Sequence, residues 1–115
     1  LKLHERSHGE SFLTIIQKRL TDAGLYILDE PEAALSPQRQ LSLLIQMKEA
    51  VSAGAQFIIA SHSPILLGYP DADIFSFDDI SLKKIKYEET ESYQVTEMFI
   101  NNKEYLLKRL LESSI

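Results

Sequence analysis

Two adjacent carboxylates, Asp29 and Glu30, follow directly after a run of four apolar residues that begins at Leu25. A second short apolar run begins at Phe57 and ends in a polar stretch that contains His62. Carboxylates and an imidazole can hold a divalent cation, polarise a water molecule or move a proton. Because buried acids are costly unless something pairs them, an acid pair at the tip of an apolar segment indicates a ligand site. The alternative is a strand that simply ends in two solvated acids.

Both apolar runs are typical of β-strands. The first lies between Gly24 and Pro31, and its short, fully apolar character predicts a strand that is buried on both faces. The second, Phe57 to Ala60, predicts another central strand. In open α/β sheets, ligands bind beyond the carboxyl ends of the strands. We therefore expect the tips of these two strands to bring the acid pair and the imidazole together.

Helices are predicted around these strands. Apolar residues at helical spacing predict a helix from about residue 10 to residue 22. Ser36 followed by Pro37 is a strong signal for a helix start, and Gly54 is expected to end that helix. Pro64 is expected to begin a further short helix.

The rest of the chain adds two strands and two helices. The apolar pattern predicts a third strand at 74–77, a weak edge strand within 80–87, and two helices after Ser92 that separate near Asn101 and Asn102. Strands that alternate with helices favour a parallel sheet. The sequence therefore predicts an α/β fold with a small, mostly parallel sheet flanked by helices.

Length and composition limit the class of protein. The chain has 115 residues and a net charge of −5 without a basic run, which suits one domain and gives no signal for nucleic-acid binding. It has no cysteine, so disulfides and thiolate metal sites are excluded. No apolar stretch approaches the ~20 residues of a membrane span and no signal peptide is evident, so we expect a cytoplasmic protein. A chain that starts at Leu1 rather than at methionine is expected to be part of something longer.

Taken in order, the motifs resemble the C-terminal half of an ABC-type ATPase domain, which is a partial P-loop NTPase fold. Residues 25–30 resemble the Walker B strand, 33–36 the D-loop and 57–62 the switch-histidine strand, while 6–10 stand where the signature loop lies. The wording Ser-His-Gly-Glu-Ser-Phe, Asp-Glu-Pro-Glu-Ala-Ala-Leu-Ser-Pro and Ser-His-Ser-Pro-Ile-Leu-Leu is similar to soluble bacterial predicted AAA/ABC ATPases of the RecF and SMC kind. The resemblance covers nearly the whole chain, and it implies that residues 1–115 form the C-terminal part of such a domain.

The resemblance implies ATP hydrolysis and gives each strand-end residue a role. Asp29 would hold Mg²⁺ through a water molecule, because this ion takes few protein carboxylates beside phosphate oxygens. Glu30 would polarise the attacking water, and a positioned base contributes roughly 10²–10⁴-fold. His62 would contact the γ-phosphate and keep the water and Glu30 in line, since phosphoryl transfer depends mostly on positioning and charge.

The resemblance also implies a second ATPase subunit. Ser7, His8 and Gly9 would bind the γ-phosphate of the partner's nucleotide, with the backbone N–H of Gly9 at a helix N-terminus. Ser36 matches the D-loop aspartate and would touch the partner's site. The implied partners are therefore ATP, and a homodimer or a paired ATPase half. The chain departs from the family's pattern where His8 replaces a glycine, Glu10 a glutamine and Ser36 an aspartate.

One motif of such ATPases is missing from these residues. The phosphate-binding loop needs G-x-x-x-x-G-K-[ST], and no glycine here is followed by lysine. We therefore expect the loop N-terminal to Leu1, and expect this chain alone to bind nucleotide poorly and to hydrolyse little. A non-catalytic ABC-like interaction module remains an alternative, although the intact Glu30 and His62 argue against a decayed site.

A less favoured alternative is a zinc hydrolase. Residues His4 to His8 match H-E-x-x-H, in which two histidines bind zinc and the glutamate, here Glu5, acts as a base. That motif needs a continuous helix with an apolar face. Ser7 and Gly9 interrupt the segment, and its surroundings are polar. Stoichiometric zinc in the purified protein would favour this alternative.

Overall fold

The fold is α/β, as predicted, with a small parallel sheet and flanking helices. A computed structural model of the chain describes residues 2–3, 23–77 and 80–112. Contacts divide the chain into two units, Leu1–Pro70 and Asp71–Ile115.

The first unit contains a three-stranded parallel sheet with the order β1-β2-β3. Its strands are β1 (Lys2–Leu3), β2 (Leu25–Asp29) and β3 (Gln56–Ala60). β2 lies in the centre and pairs with β3 over its whole length, so that Asp29 lies beside Ala60. The predicted strands β2 and β3 are confirmed, whereas β1 was not predicted. The predicted helix between these first two strands lies outside the described residues.

Helix α1 (Pro37–Ser52) connects β2 to β3 and begins where the sequence predicts. The Ser36 side chain accepts a hydrogen bond from the Arg39 N–H at 3.2 Å, and Pro37 occupies the first turn. After the helix, Gly54 adopts a φ of 103°, a conformation that residues with a Cβ atom rarely take. The chain can therefore turn directly from α1 into β3.

The hydrophobic core lies between one face of the sheet and α1. Tyr26 and Leu28 of β2 are buried on this face, and the Tyr26 ring stacks on Phe57 of β3 with centroids 5.5 Å apart. Helix α1 contributes further buried side chains, and the short 3₁₀-helix Leu66–Gly68 contributes Leu66. One cluster unites these residues: Tyr26, Leu28, Leu35, Leu43, Met47, Ala50, Ala55 and Leu66.

The opposite face of the sheet is exposed in the described structure. Leu25, Ile27 and Ile58 show 48 %, 38 % and 53 % of their surface to solvent. The prediction that this apolar strand is buried on both faces is therefore wrong for β2. Its side chains alternate between the two faces, and α1 covers only the face of Tyr26 and Leu28.

The second unit begins with an antiparallel pair of strands, β4 (Ile74–Phe77) and β5 (Leu82–Ile85). Both strands are predicted, but the prediction that the first of them extends a parallel sheet is wrong. Only residues 78–81 lie between the two strands, and a parallel pairing needs a crossover of a dozen or more residues. The short connection therefore dictates a hairpin.

Two further helices, α2 (Glu91–Asn101) and α3 (Lys103–Glu112), complete the second unit. They separate at Asn102, whose N–H bonds to the Met98 carbonyl at 3.0 Å, and this confirms the predicted break. None of the helices among the described residues combines the length and the apolar character needed to cross a membrane.

A buried threonine holds the start of α2. The Thr90 hydroxyl accepts the Tyr93 N–H at 3.2 Å and donates to the Tyr87 carbonyl at 2.8 Å. The ring centroids of Tyr87 and Tyr93 lie 5.0 Å apart. Burial raises the pKa of the Tyr87 phenol, and Tyr93 and Glu88 nearby raise it further. Thr90 thus satisfies backbone groups on both sides of the helix boundary.

Two neighbouring residues of β2 test the one-sided burial of the sheet. Leu28 and Ile27 point to opposite faces, with 1 % and 38 % of their surfaces exposed. We expect Leu28→Ala to lower the free energy of unfolding by about 2–5 kcal/mol, because it leaves a cavity in the core. Ile27→Ala is the matched control and should cost about 1 kcal/mol, since less apolar surface leaves the interior. Urea denaturation measures both, and equal losses would contradict the one-sided core.

Candidate functional site

Polar residues follow β2 and β3 at the same edge of the sheet. Asp29 ends β2 and Glu30 follows it, while His62 comes two residues after β3. The Glu30 N–H donates to the Ala60 carbonyl at 2.8 Å, so the two strands are still paired where the acids emerge. The strand tips therefore lie side by side, which is the arrangement that the sequence predicts. The catalytic roles of these residues stay predictions.

The backbone turns sharply at Glu30. This residue adopts φ 49° and ψ 54°, the left-handed region that a residue with a Cβ atom enters at a cost of about 1–2 kcal/mol. Two hydrogen bonds fix the turn, one from its N–H to Ala60 and one from the Ala33 N–H to its carbonyl at 3.0 Å. Pro31 is buried directly after it and begins the 3₁₀-helix Pro31–Ala34. Strained non-glycine residues of this kind concentrate at functional sites.

The side chains of Glu30 and His62 are accessible. Both residues are exposed, and within the described ranges neither the carboxylate nor the imidazole has a hydrogen-bond partner. Asp29 is half-buried and shares the outer face of β2 with Ile27. This edge therefore offers one partly enclosed carboxylate and two side chains that can engage a ligand.

The donor set suits a cation that is bound mainly by phosphate and water. Among the described residues there is no group of three or more His, Cys, Asp or Glu side chains that could hold a metal ion. Mg²⁺ keeps several waters and commonly takes only one or two protein carboxylates, a requirement that Asp29 and Glu30 can meet. The H-E-x-x-H segment that begins at His4 lies outside the described residues.

A third carboxylate, Glu32, joins the two strand-end loops. Its Oε1 accepts the hydroxyl hydrogen of Ser61 and its Oε2 accepts the backbone N–H of His62, each at 2.8 Å. The Ser61 oxygen in turn accepts the N–H of Ser63 at 3.0 Å. Sequence analysis did not single out Glu32. The only local signal was an acid one residue after Pro31, and hydrogen bonds across 29 or 30 residues cannot be deduced from one sequence.

A second, buried link ties the same two loops. The Gln40 side chain of α1 donates to the Leu35 carbonyl at 3.2 Å and accepts the hydroxyl hydrogen of Ser63. The Ser63 oxygen also accepts the N–H groups of Ile65 and Leu66, both at 3.1 Å. Gln40 and Ser63 are buried, and such polar groups stabilise a fold only when they are paired as they are here. The loop after β2 and the loop after β3 are therefore fixed to each other and to α1.

The four other predicted site residues have different outcomes. Ser36 is exposed and caps α1, so its position has a local structural explanation as well as the proposed D-loop role. Ser7, His8 and Gly9 lie outside the described residues.

Residues 11–68 match a protein family described as "AAA domain, putative AbiEii toxin, Type IV TA system". The matched span is about half of the chain and contains Asp29, Glu30, Ser36 and His62. The chain belongs to this family of AAA domains. The prediction of an ATPase fragment is confirmed in this general form, since the AAA domain is a P-loop NTPase-type, nucleotide-binding domain. No curated protein and no solved structure matches the chain.

The matched span contains some of the predicted site residues and leaves out others. It begins after Ser7, His8 and Gly9, and it ends at Gly68, before β4. It thus includes the carboxyl ends of β2 and β3 and both hydrogen-bonded links between the loops that follow them. The matched span therefore carries both the acid pair and the imidazole.

The cap of α1 gives a test of the structural role of Ser36. We expect Ser36→Ala to lower the free energy of unfolding by about 1 kcal/mol, because the Arg39 N–H loses its acceptor. Ser36→Asp should stay close to the unmodified protein, since aspartate caps helices as well as serine does. Urea denaturation of the two variants measures the difference. A Ser36→Asp variant as unstable as Ser36→Ala would show that capping does not explain this serine.

Proposed function

We propose that the chain forms the Walker B, signature and switch-histidine part of an ABC-type ATPase, and that it hydrolyses MgATP within a dimer of ATPase domains. The observation that carries the proposal is the common edge where the Asp29–Glu30 pair and His62 leave adjacent parallel strands. Membership of an AAA domain family supports the proposal that the site binds a nucleotide. A carboxylate beside a phosphate needs a cation to offset the like charges, so the acid pair also supports a bound cation.

In the proposed site, Asp29 would hold Mg²⁺ through a water molecule. When bound, the ion would neutralise charge on the phosphate oxygens. Glu30 would orient a water molecule and take its proton as the oxygen attacks the terminal phosphorus. His62 would donate a hydrogen bond to a terminal phosphate oxygen and limit the positions that this water can take. These roles demand positioning more than covalent chemistry, which suits a site fixed by strand ends.

The proposal assigns the remaining predicted residues to the contact between two ATPase domains. Ser7, His8 and Gly9 would approach the terminal phosphate bound by the partner, and Ser36 would lie near that contact. Turnover is assigned to the full-length protein, because no glycine in these 115 residues is followed by the lysine that a phosphate-binding loop requires.

The same missing motif favours a second candidate, a non-catalytic ABC-like interaction module. Such a module could bind ATP in the full-length protein without hydrolysing it. The exposed carboxylate of Glu30, held in a strained backbone conformation, favours the catalytic proposal.

The assigned base gives the decisive experiment. In the full-length protein we expect Glu30→Gln to bind ATP with little change and to lower kcat by about 10²–10⁴-fold, because the amide cannot take the proton. ATP should then also stabilise the dimer, which size-exclusion chromatography detects. Phosphate release measures turnover, and equilibrium binding measures retention of the nucleotide.

Glu49→Gln is the matched control, because Glu49 is an exposed glutamate in the last turn of α1. It should leave kcat within about twofold of the unmodified protein, as surface substitutions away from a site usually have small effects. Undiminished hydrolysis by Glu30→Gln would refute the assigned base. ATP binding without hydrolysis by the unmodified protein would favour the interaction module instead.

A further inference from the structure

Both carboxylate oxygens of Glu32 accept hydrogen bonds from the loop that carries His62. One oxygen accepts from the Ser61 hydroxyl and the other from the His62 N–H. Glu32 lies in the 3₁₀-helix Pro31–Ala34, directly after the turn at Glu30. A single side chain therefore connects the segment of the acid pair to the backbone of the imidazole residue.

This connection bears directly on the placement of the His62 ring. Within the described ranges the imidazole has no hydrogen-bond partner of its own, so its position depends on the backbone that bears it. Hydrogen bonds from N–H to a carboxylate are shorter and about twice as strong as bonds between neutral groups. The Ser61 bond holds the neighbouring residue to the same carboxylate, so two successive residues are fixed together.

A purely structural fastening of the loops would not need Glu32. The buried Gln40–Ser63 pair already ties the loop after β2 to the loop after β3. Among the described residues, no lysine, arginine or histidine side chain pairs with Glu32, although the residue is half-buried. The carboxylate instead accepts the His62 N–H, which the Gln40–Ser63 pair does not contact. Its placement on the His62 N–H indicates a more specific role.

We propose that Glu32 is a positioning residue that acts through the His62 backbone and holds the imidazole at the edge where Glu30 emerges. The inference rests on the proposed ATPase function, because it assigns Glu32 to the geometry of that same site. A displacement of the segment 30–34 would pass through this carboxylate to His62. Glu30 and the imidazole would then move together rather than independently.

The test combines a readout of the link with a readout of catalysis, both in the full-length protein. The His62 backbone N–H is followed by NMR with ¹⁵N-histidine labelling, and its signal is assigned as the one that His62→Gln removes. In Glu32→Ala without nucleotide, its hydrogen exchange should accelerate about tenfold or more, because the exposed amide loses its acceptor. The kcat for ATP should fall about 10–100-fold with KM nearly unchanged, the effect of a small misplacement.

Two further variants separate positioning from stability. Ser63→Ala breaks the buried link to Gln40 but leaves the bond between Glu32 and His62, so it should destabilise the fold while it changes the His62 exchange rate and kcat by less than Glu32→Ala does. Glu32→Gln keeps an acceptor for the His62 N–H without the charge. It should move the His62 amide signal upfield and retain most of kcat, and it also serves if Glu32→Ala fails to fold.

Each outcome decides one question. Unchanged His62 exchange and shift in the Glu32 variants would overturn the positioning role, whatever the activity. A kcat in Glu32→Ala that falls no further than in Ser63→Ala would also overturn it, because the link would then be structural only. Absence of ATP hydrolysis by the unmodified protein would overturn the proposed function, and with it the catalytic purpose of the link. An active protein in which Glu32→Ala changes both readouts as expected supports the inference.

Discussion

The pairing of β2 with β3 is the constraint on which the site depends. It places Asp29 beside Ala60 and continues one step further, through the hydrogen bond from the Glu30 N–H to the Ala60 carbonyl at 2.8 Å. Because side chains alternate along a strand, a slip by one residue would exchange the buried Tyr26 and Leu28 for their neighbours. The core therefore selects the register, and the register delivers the acid pair to the strand tip next to His62.

Around this pairing, the polar contacts form two layers with different environments. Gln40 and Ser63 are buried and connect the loops to α1 inside the unit. Glu32 is half-buried and connects the same loops nearer to solvent, where it meets the His62 backbone. The buried layer explains why the loops keep their shape, since unpaired polar groups in the interior would be costly. The outer layer, formed by Glu32, fixes the position of the His62 backbone amide.

Local signals allowed much of the first unit to be predicted. The apolar runs gave β2 and β3, and Ser36 with Pro37 gave the start of α1, because capping and proline geometry act within a few residues. The common edge of the acid pair and His62 followed from the parallel direction of the strands. One-sided burial could not be predicted, since a fully apolar strand has no alternation that distinguishes its faces. The two-residue β1 and the contacts of Glu32 also escaped prediction, because both depend on partners that are distant in the sequence.

The left-handed backbone at Glu30 places opposing demands on that position. Glycine adopts this conformation without penalty, whereas glutamate adopts it at a cost of about 1–2 kcal/mol. Selection for thermal robustness alone would thus replace the glutamate with glycine, and would remove the carboxylate in the same step. A lineage that stopped using the acid would have an energetic reason to lose it, so glycine at position 30 of a related sequence would indicate disuse.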